Sequence, residues 1–277
     1  MKKQLLFIAM ILASVGTYAQ TGVWLSQATG FTPVSSGVRN VSVVDANTVW
    51  ISSYDGSGGG ANRQDFSMTI DGGANWMAGN TPAPVSYDWS MIYGLDQNTA
   101  WACFYNAVAG SGGGIWKTTD GGGTWTQQGL GTIFNASSFP NVVHFWDANV
   151  GFVMGDPNPG TQFEIWTTTD GGTSWTRTPA GNIPAALSGE YGIVAHYTVI
   201  GDTVWFDTNK GRIFRSVDRG LNWTVAATGI TVPANGAIDH CFTDNMNGIA
   251  RLYTAATGVS TTYITADGEI GRASCRE

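Results

Sequence analysis

Thr118-Thr-Asp120-Gly-Gly-Gly-Thr-Trp125 is one copy of a motif that the chain writes several times. Thr69-Ile-Asp71-Gly-Gly-Ala-Asn-Trp76 precedes it; Thr168-Thr-Asp170-Gly-Gly-Thr-Ser-Trp175 and Ser216-Val-Asp218-Arg-Gly-Leu-Asn-Trp223 follow. A fifth copy opens at Thr265-Ala-Asp267-Gly268 and then loses the pattern. The aspartates are spaced by 49, 50, 48 and 49 residues, so the chain repeats one supersecondary unit. Each residue type has a mechanical task. The carboxylate accepts hydrogen bonds from the N–H groups of its own turn, and the hydroxyl two residues earlier adds another. Glycine after the aspartate permits positive φ, and the tryptophan starts the next strand with a large apolar surface.

The rest of each unit is equally regular. Val41 to Val44 leads through Asp45-Ala-Asn47 to Val49-Trp50-Ile51, and Met91 to Tyr93 leads through Asp96-Gln-Asn98 to Ala100-Trp101. Val142 to Trp146 leads through Asp147-Ala-Asn149 to Gly151-Phe-Val-Met154, and Ile193 to Val199 through Gly201-Asp202 to Val204-Trp-Phe206. With one strand on either side of the aspartate motif, each unit holds four short strands, and no segment sustains a helical period. Such units at this period predict propeller blades, over about 38–80, 88–130, 140–180, 190–228 and 237–268.

The motif resembles the Asp-box, or BNR, repeat S/T-x-D-x-G-x-x-W of sialidase-like β-propellers, with four full copies. The resemblance covers essentially the whole chain after its leader. It implies an all-β propeller of four-stranded antiparallel blades, incomplete at about five of six or seven. In that family the Asp boxes lie at the blade periphery. This implies structural roles for Asp71, Trp76, Asp120, Trp125, Asp170, Trp175, Asp218, Trp223 and Asp267.

The two ends read differently from the middle. Residues 1–19 have a Lys2-Lys3 start, an apolar run from Leu5 to Val15 and Thr17-Tyr-Ala19 as a cleavage site. That is a secretory signal peptide of bacterial character, too short to span a bilayer. It predicts a secreted, cell-surface or periplasmic protein with no membrane span. Val23-Trp24 to Gly30 resembles Asn222-Trp223 to Gly229 but has no box before it, so 20–30 is expected to supply the outer strand of a closing blade. Residues 269–277 break the motif and match the translation of a common sequencing adapter. They are expected to be a non-native tail on a truncated fragment ending at Gly268, which sequencing the source gene tests. Cys103 and Cys241 then remain, expected as free buried thiols in preference to a disulfide.

The formal charge is −7, or about −9 once Lys2 and Lys3 leave with the signal. That balance argues against nucleic acid as a partner. Binding residues favour loops on a rigid scaffold, here the face of the 2–3 loops and 4–1 connections. Residues expected there are Arg39, Tyr54-Asp55, Tyr87-Asp88-Trp89, Tyr105, Asp156-Pro-Asn158, Glu190-Tyr191 and Asp239-His240. A sialidase-type glycosidase needs an arginine cluster, a Tyr/Glu pair and an acid, for which Arg39, Asp88, Glu190, Tyr191 and Asp239 are the candidates. A xyloglucan-type hydrolase would need two carboxylates, for which Asp88 and Glu190 stand nearest. The chain before 269 has only seven arginines, and adjacent Glu190 and Tyr191 would point to opposite faces of a strand.

No metal or cofactor is expected. Asp156-Pro-Asn-Pro-Gly160 lacks the closing acid of a calcium loop, and His144, His196 and His240 sit singly in strand-like runs. The Gly-rich runs 56–60 and 110–114 lack the Lys-Ser/Thr of a phosphate loop and read as flexible 2–3 loops. The wider resemblance is to exported bacterial propellers of the photosystem II stability/assembly factor group. It implies a non-catalytic platform whose loop face docks a protein or glycan, with a glycoside hydrolase as the alternative.

Overall fold

The computed structural model describes residues 25–33, 35–233, 236–254, 257–266 and 268. Blade one comprises β1 (Ser36–Val43), β2 (Val49–Asp55), β3 (Asp65–Thr69) and β4 (Met77–Asn80). Blade two follows as β5 (Tyr87–Gly94), β6 (Ala100–Asn106), β7 (Gly113–Thr118) and β8 (Thr126–Gln128). Blade three is β9 (Pro140–Phe145), β10 (Gly151–Pro157), β11 (Phe163–Thr168) and β12 (Thr176–Arg177). Blade four is β13 (Gly192–Ile200), β14 (Thr203–Thr208), β15 (Arg212–Ser216) and β16 (Thr224–Ala227). The fifth has three described strands, β17 (Gly236–Phe242), β18 (Gly248–Thr254) and β19 (Val259–Thr265). Every sheet is an antiparallel meander in chain order, and the inner strands β1, β5, β9, β13 and β17 pack in succession. The all-β propeller expected from the period is what forms. Among the described residues the one helical element is a 3-10 turn, Ala180–Asn182, between blades three and four.

The Asp boxes repeat almost atom for atom. Thr69, Thr118, Thr168 and Ser216 each donate a hydroxyl to Oδ1 of the following box aspartate at 2.8 Å. That oxygen also accepts the N–H of Asn75, Thr124, Ser174 or Asn222, at 2.8–2.9 Å. Oδ2 accepts the side chain of the same residue. The Ser174 hydroxyl, its N–H and Thr168 together hold Asp170 at about 2. Both box glycines take positive φ, 71° and 87° at Gly121 and Gly122. Where the fourth box has Arg219 in place of the first, that residue is held at φ 59° and donates to Asp202. Each box also bonds to the 1–2 turn of its own blade, as in Gly72 N–H to the Asn47 carbonyl and Gly121 N–H to that of Asn98. Thus boxes and 1–2 turns share one end, and the 2–3 loops and 4–1 connections share the other. Asp267 lies outside the described residues, although Gly268 N–H still donates to the Met246 carbonyl in the equivalent way.

Alternation along β2, β6, β10 and β14 turns one aromatic per blade toward the next blade. Trp101 stacks on Phe145 at 3.6 Å and 9°, and Trp205 on Phe242 at 4.2 Å and 11°. Trp50 donates its indole N–H to the Asp96 carbonyl at 2.9 Å. Phe152 packs 6.2 Å from Trp223. The box tryptophans serve this packing unequally. Trp175 and Trp223 are buried, and their indoles donate to the Gly172 and Gly220 carbonyls of their own boxes. Trp76 is half-buried and donates to Gln27.

Several expectations are refined. Trp24, the signal peptide and the tail lie outside the described residues, and 25–33 contains no strand. Its placement nevertheless follows the repeat. A Cβ at Gly73 of box one would meet Gln27 Oε1, as one at Gly172 of box three would meet Gln128 Oε1. Thr178, at the same offset in its repeat, donates to the Gly220 carbonyl of box four. Cys103 is buried and free, with its thiol pushed up to about 12 by burial. Cys241 is free but exposed, contrary to expectation, because alternation on β17 turns its neighbour Phe242 inward instead. The second glycine run is only partly a loop, since Gly113 and Gly114 open β7.

Candidate functional site

At the loop end the inner strand of each of the first four blades is interrupted by a bulge. The register shifts at Arg39, Ser90 and Asn141, and over 193–196 in blade four. Arg39, Ser90, Asn141 and His196 each lie six residues before the aspartate of their 1–2 turn, at 45, 96, 147 and 202. A bulge re-aims a side chain, and here most of the re-aimed groups bridge to the next blade.

Arg39 donates to Asp88 of blade two at 2.8 Å and to the Tyr105 hydroxyl at 3.3 Å. The other Asp88 oxygen accepts the N–H groups of Arg63 and Trp89. The Ser90 hydroxyl donates to the Pro140 carbonyl of blade three. Asn141 donates to Asp156 Oδ1 at 2.7 Å, and Gly192 N–H from blade four donates to the same oxygen at 2.9 Å. Burial pushes Asp156 up to about 6 despite those two donors.

Blade four meets blade five through a charged seam. The Asp207 carboxylate is fully buried between His240 Nδ1 at 3.1 Å and His196 Nδ1 at 3.6 Å. His196 Nε2 lies 3.3 Å from Asp239, which pairs with Arg251 at 3.0 Å. Two of the histidines expected to sit singly are therefore joined by an aspartate that the sequence reading passed over. The signal was present, since Asp207 is a charged residue inside the apolar strand Val204-Trp-Phe. His144 has no carboxylate partner: it packs among Tyr93, Trp146, Phe152 and Tyr197, with its Nδ1 3.4 Å from the Tyr197 hydroxyl, and burial lowers it to about 3.

This seam makes stability depend on pH. Burial disfavours charge on His196, but Asp207 and then Asp239 outweigh it and raise its pKa above 6.5. A raised histidine stabilises the fold fully below its unfolded pKa and loses that contribution as pH rises through the folded one. His144 acts in the opposite sense below pH 6.5, and Asp156 has largely ionised by then. Above pH 6.5 the denaturant midpoint should therefore fall as pH rises through the raised His196 value, and His196→Gln should flatten that slope. An unchanged slope in the variant would remove His196 as its cause.

The sequence-predicted catalytic candidates do not converge. Glu190 is buried beside β13, where Arg212 donates to Oε2 at 2.5 Å and to Oε1 at 2.9 Å. Thr208 and Leu187 N–H complete its shell. Tyr191 is about half exposed and turned away from it, although the two precede the strand and are not within it. Asp88 lies at the seam of blades one and two, Asp239 at that of blades four and five, and Glu190 within blade four with Thr208 and Arg212, and among the described residues no hydrogen bond or ion pair joins any two of them. The arginines are separately engaged too. Arg39 pairs with Asp88, Arg63 with Asp55, Arg212 with Glu190, Arg219 with Asp202 and Arg251 with Asp239. Arg177 donates to the Asn158 carbonyl and lies over Trp166, and Arg215 lies over Trp205. Among the described residues no group of three or more His, Cys, Asp or Glu side chains is arranged to hold a metal. No described helix is long and apolar enough to cross a membrane.

Solved structures place this geometry. The sialidase of Trypanosoma rangeli, in complex with the inhibitor DANA, matches over 89% of this chain and 48% of its own, at 11% identity and TM-score 0.51. The likeness is one of fold, a β-propeller. YCF48 bound to a D1 peptide matches over 86% of this chain and 81% of its own, at 17% identity and TM-score 0.45. The Hadza microbial sialidase Hz136 matches over 81% and 54%, at 15% identity and TM-score 0.48. The propeller spans about half the length of these two sialidases. No protein-family model and no curated protein matches the sequence. At such identities the likeness extends to the fold and not to a site.

Proposed function

We propose that this propeller is an exported, non-catalytic binding platform whose loop face docks an extended segment of another protein. The observation that carries the reading is the full engagement of the described arginines with carboxylates, carbonyls or rings of the chain itself. A glycosidase of sialidase type would need several of them turned together toward a substrate carboxylate. Beside polar groups such as Lys210 and Ser57, the loop end exposes a set of large apolar side chains. Val85, Val108 and Leu187 are 85%, 76% and 53% exposed, with Tyr54 and Tyr191 at 44% and 49%. Val85 and Val108 sit on adjoining loops, joined where Val108 N–H donates to the Ser86 carbonyl. Aliphatic knobs among two tyrosines suit a polypeptide, whereas sugars are gripped mainly by flat aromatic faces. The YCF48 structure holds a peptide of D1, the same class of ligand.

A displayed library of random peptides, screened in parallel with a glycan array, tests this. Selected peptides should lose binding to the Val85→Asp/Val108→Asp variant and keep it with Leu221→Asp at the opposite end. Sugars retained in place of peptides, with binding lost in Tyr54→Ala or Tyr191→Ala, would replace the peptide reading with a glycan one.

A further inference from the structure

Blade three departs from the repeat at its outer strand. Counted from the box aspartates, Pro179 stands where blade one has Asn80 and blade four has Ala227. There the outer strands β4 and β16 run on, pairing Asn80 with Asp65 and Ala227 with Arg212. In blade three the ladder ends at Trp166 and Arg177, with one further bond from Thr178 N–H to the Ile165 carbonyl. Proline brings no N–H to a ladder and is confined to strand edges and ends. The chain turns away instead into the 3-10 turn Ala180–Asn182.

Beside this departure lies a groove of about 330 Å³, between the 2–3 loop of blade three and the connection to blade four. Pro159, Gln162, Phe163, Arg177, Pro179 and Ile183 line it. Blade three has a complete described blade on either side, so the groove belongs to its own chain path. Arg177 supplies the charge. Five of the seven described arginines pair with a carboxylate. Arg177 is held only by the Asn158 carbonyl and the face of Trp166, and among the described residues it has no ion-pair partner. Glu164 accepts from Ser138, Asn158 and Trp166 and makes no ion pair with it. Pro159 and Pro179 are exposed, whereas Phe163, the one aromatic of the lining, is fully buried and offers no face to a sugar ring. The groove also joins the loop face. Ala186 N–H donates to the Thr161 carbonyl, which brings the exposed Leu187 beside the same loop.

We infer that this groove seats an acidic residue of an extended partner polypeptide, lying where the outer strand of blade three stops. Its carboxylate pairs with Arg177, and its apolar neighbours rest on Pro159, Pro179 and Ile183. A guanidinium without a carboxylate of its own, in a chain of net charge −7, is complementary to such a residue. The inference rests on the peptide-docking reading of the loop face, and adds the charge of the docked segment and the blade that selects it.

Two displayed libraries of random peptides, screened on the full chain, test it. They are alike except that one central position is fixed as Asp in the first and as Lys in the second. Peptides of about twenty residues, at about 3.3 Å each, are long enough to reach the groove and the loop face together. Binders should come from the Asp library. Arg177→Gln and Ala180→Asp should each weaken the selected peptides about tenfold, and Ala180→Lys should strengthen them. Ala180 borders the groove and is exposed, so its variants should fold, and near-UV circular dichroism checks each one. If Arg177→Gln fails that check, the opposite signs at Ala180 decide the matter. Peptides that lose binding in Val85→Asp/Val108→Asp but keep it in Arg177→Gln and Ala180→Asp would overturn this inference and leave the docking reading standing. Equal yield from the Lys library would do the same. No peptide from either library would remove the docking reading, and this inference with it.

Discussion

Trp101→Ala is expected to lower stability by about 3–5 kcal/mol, the range for removing a buried aromatic from a packed core. Trp101 is fully buried, stacks on Phe145 of the next blade, and has Lys117 Nζ 5.0 Å from its ring centre. Truncation opens a void between two blades whose mutual packing is the main support for either of them. For a chain of this size each kcal/mol moves the melting temperature by about 2–4 °C, so a fall of roughly 6–20 °C is expected in thermal unfolding. Trp101→Phe is the control. The Trp101 indole N–H is buried with no hydrogen-bond partner, so this change removes an unsatisfied donor while keeping an aromatic face, and its cost should be far smaller. Equal losses in the two variants would show that ring stacking is not what joins the blades.

Arg212→Ala should be comparably damaging, at about 3–5 kcal/mol, because it leaves a buried carboxylate without its counter-charge. The Glu190 side chain is 0% exposed and that of Arg212 14%. Burial acts to raise Glu190, but hydrogen bonds from Arg212, Thr208 and Leu187 N–H outweigh it and leave the group below 4.5. Without the guanidinium, burial dominates and the carboxyl retains its proton to higher pH. The variant should therefore regain part of its lost stability as pH falls below neutral, whereas the native pair loses stability as pH falls through the depressed Glu190 value. The double change Glu190→Leu/Arg212→Met should recover much of the loss, since apolar replacement of a whole buried pair is often neutral. Urea midpoints measured across pH would show both effects. A mild loss in Arg212→Ala, independent of pH, would mean that Glu190 is solvated and free for other work.

How far the sequence reveals this molecule depends on whether a residue's task is local. The Asp boxes were legible because Thr118, Asp120, Gly122 and Trp125 act within eight residues, and the 49-residue echo identifies the same turn elsewhere. The bulge residues were not. Arg39, Ser90, Asn141 and His196 share an offset from the turn aspartate, but their common role depends on a register shift against β2, β6, β10 and β14, which one strand cannot show. Glu190 and Tyr191 are candidates for a Tyr/Glu pair in sequence because adjacency says nothing about Arg212, which closes on Glu190 from β15. Asp207 was discoverable as a charge inside an apolar strand. Its meaning came only when β13 and β17 brought His196 and His240 to it.

The most direct test of the proposal that these charged groups support the propeller and do not process a substrate is turnover. The complete chain would be incubated with fluorogenic sialosides and β-glucans beside Asp88→Ala and Glu190→Ala. The account predicts no hydrolysis above background by the native chain, with thermal unfolding registering the two substitutions. Native turnover that either substitution abolishes, without unfolding the protein, would contradict it.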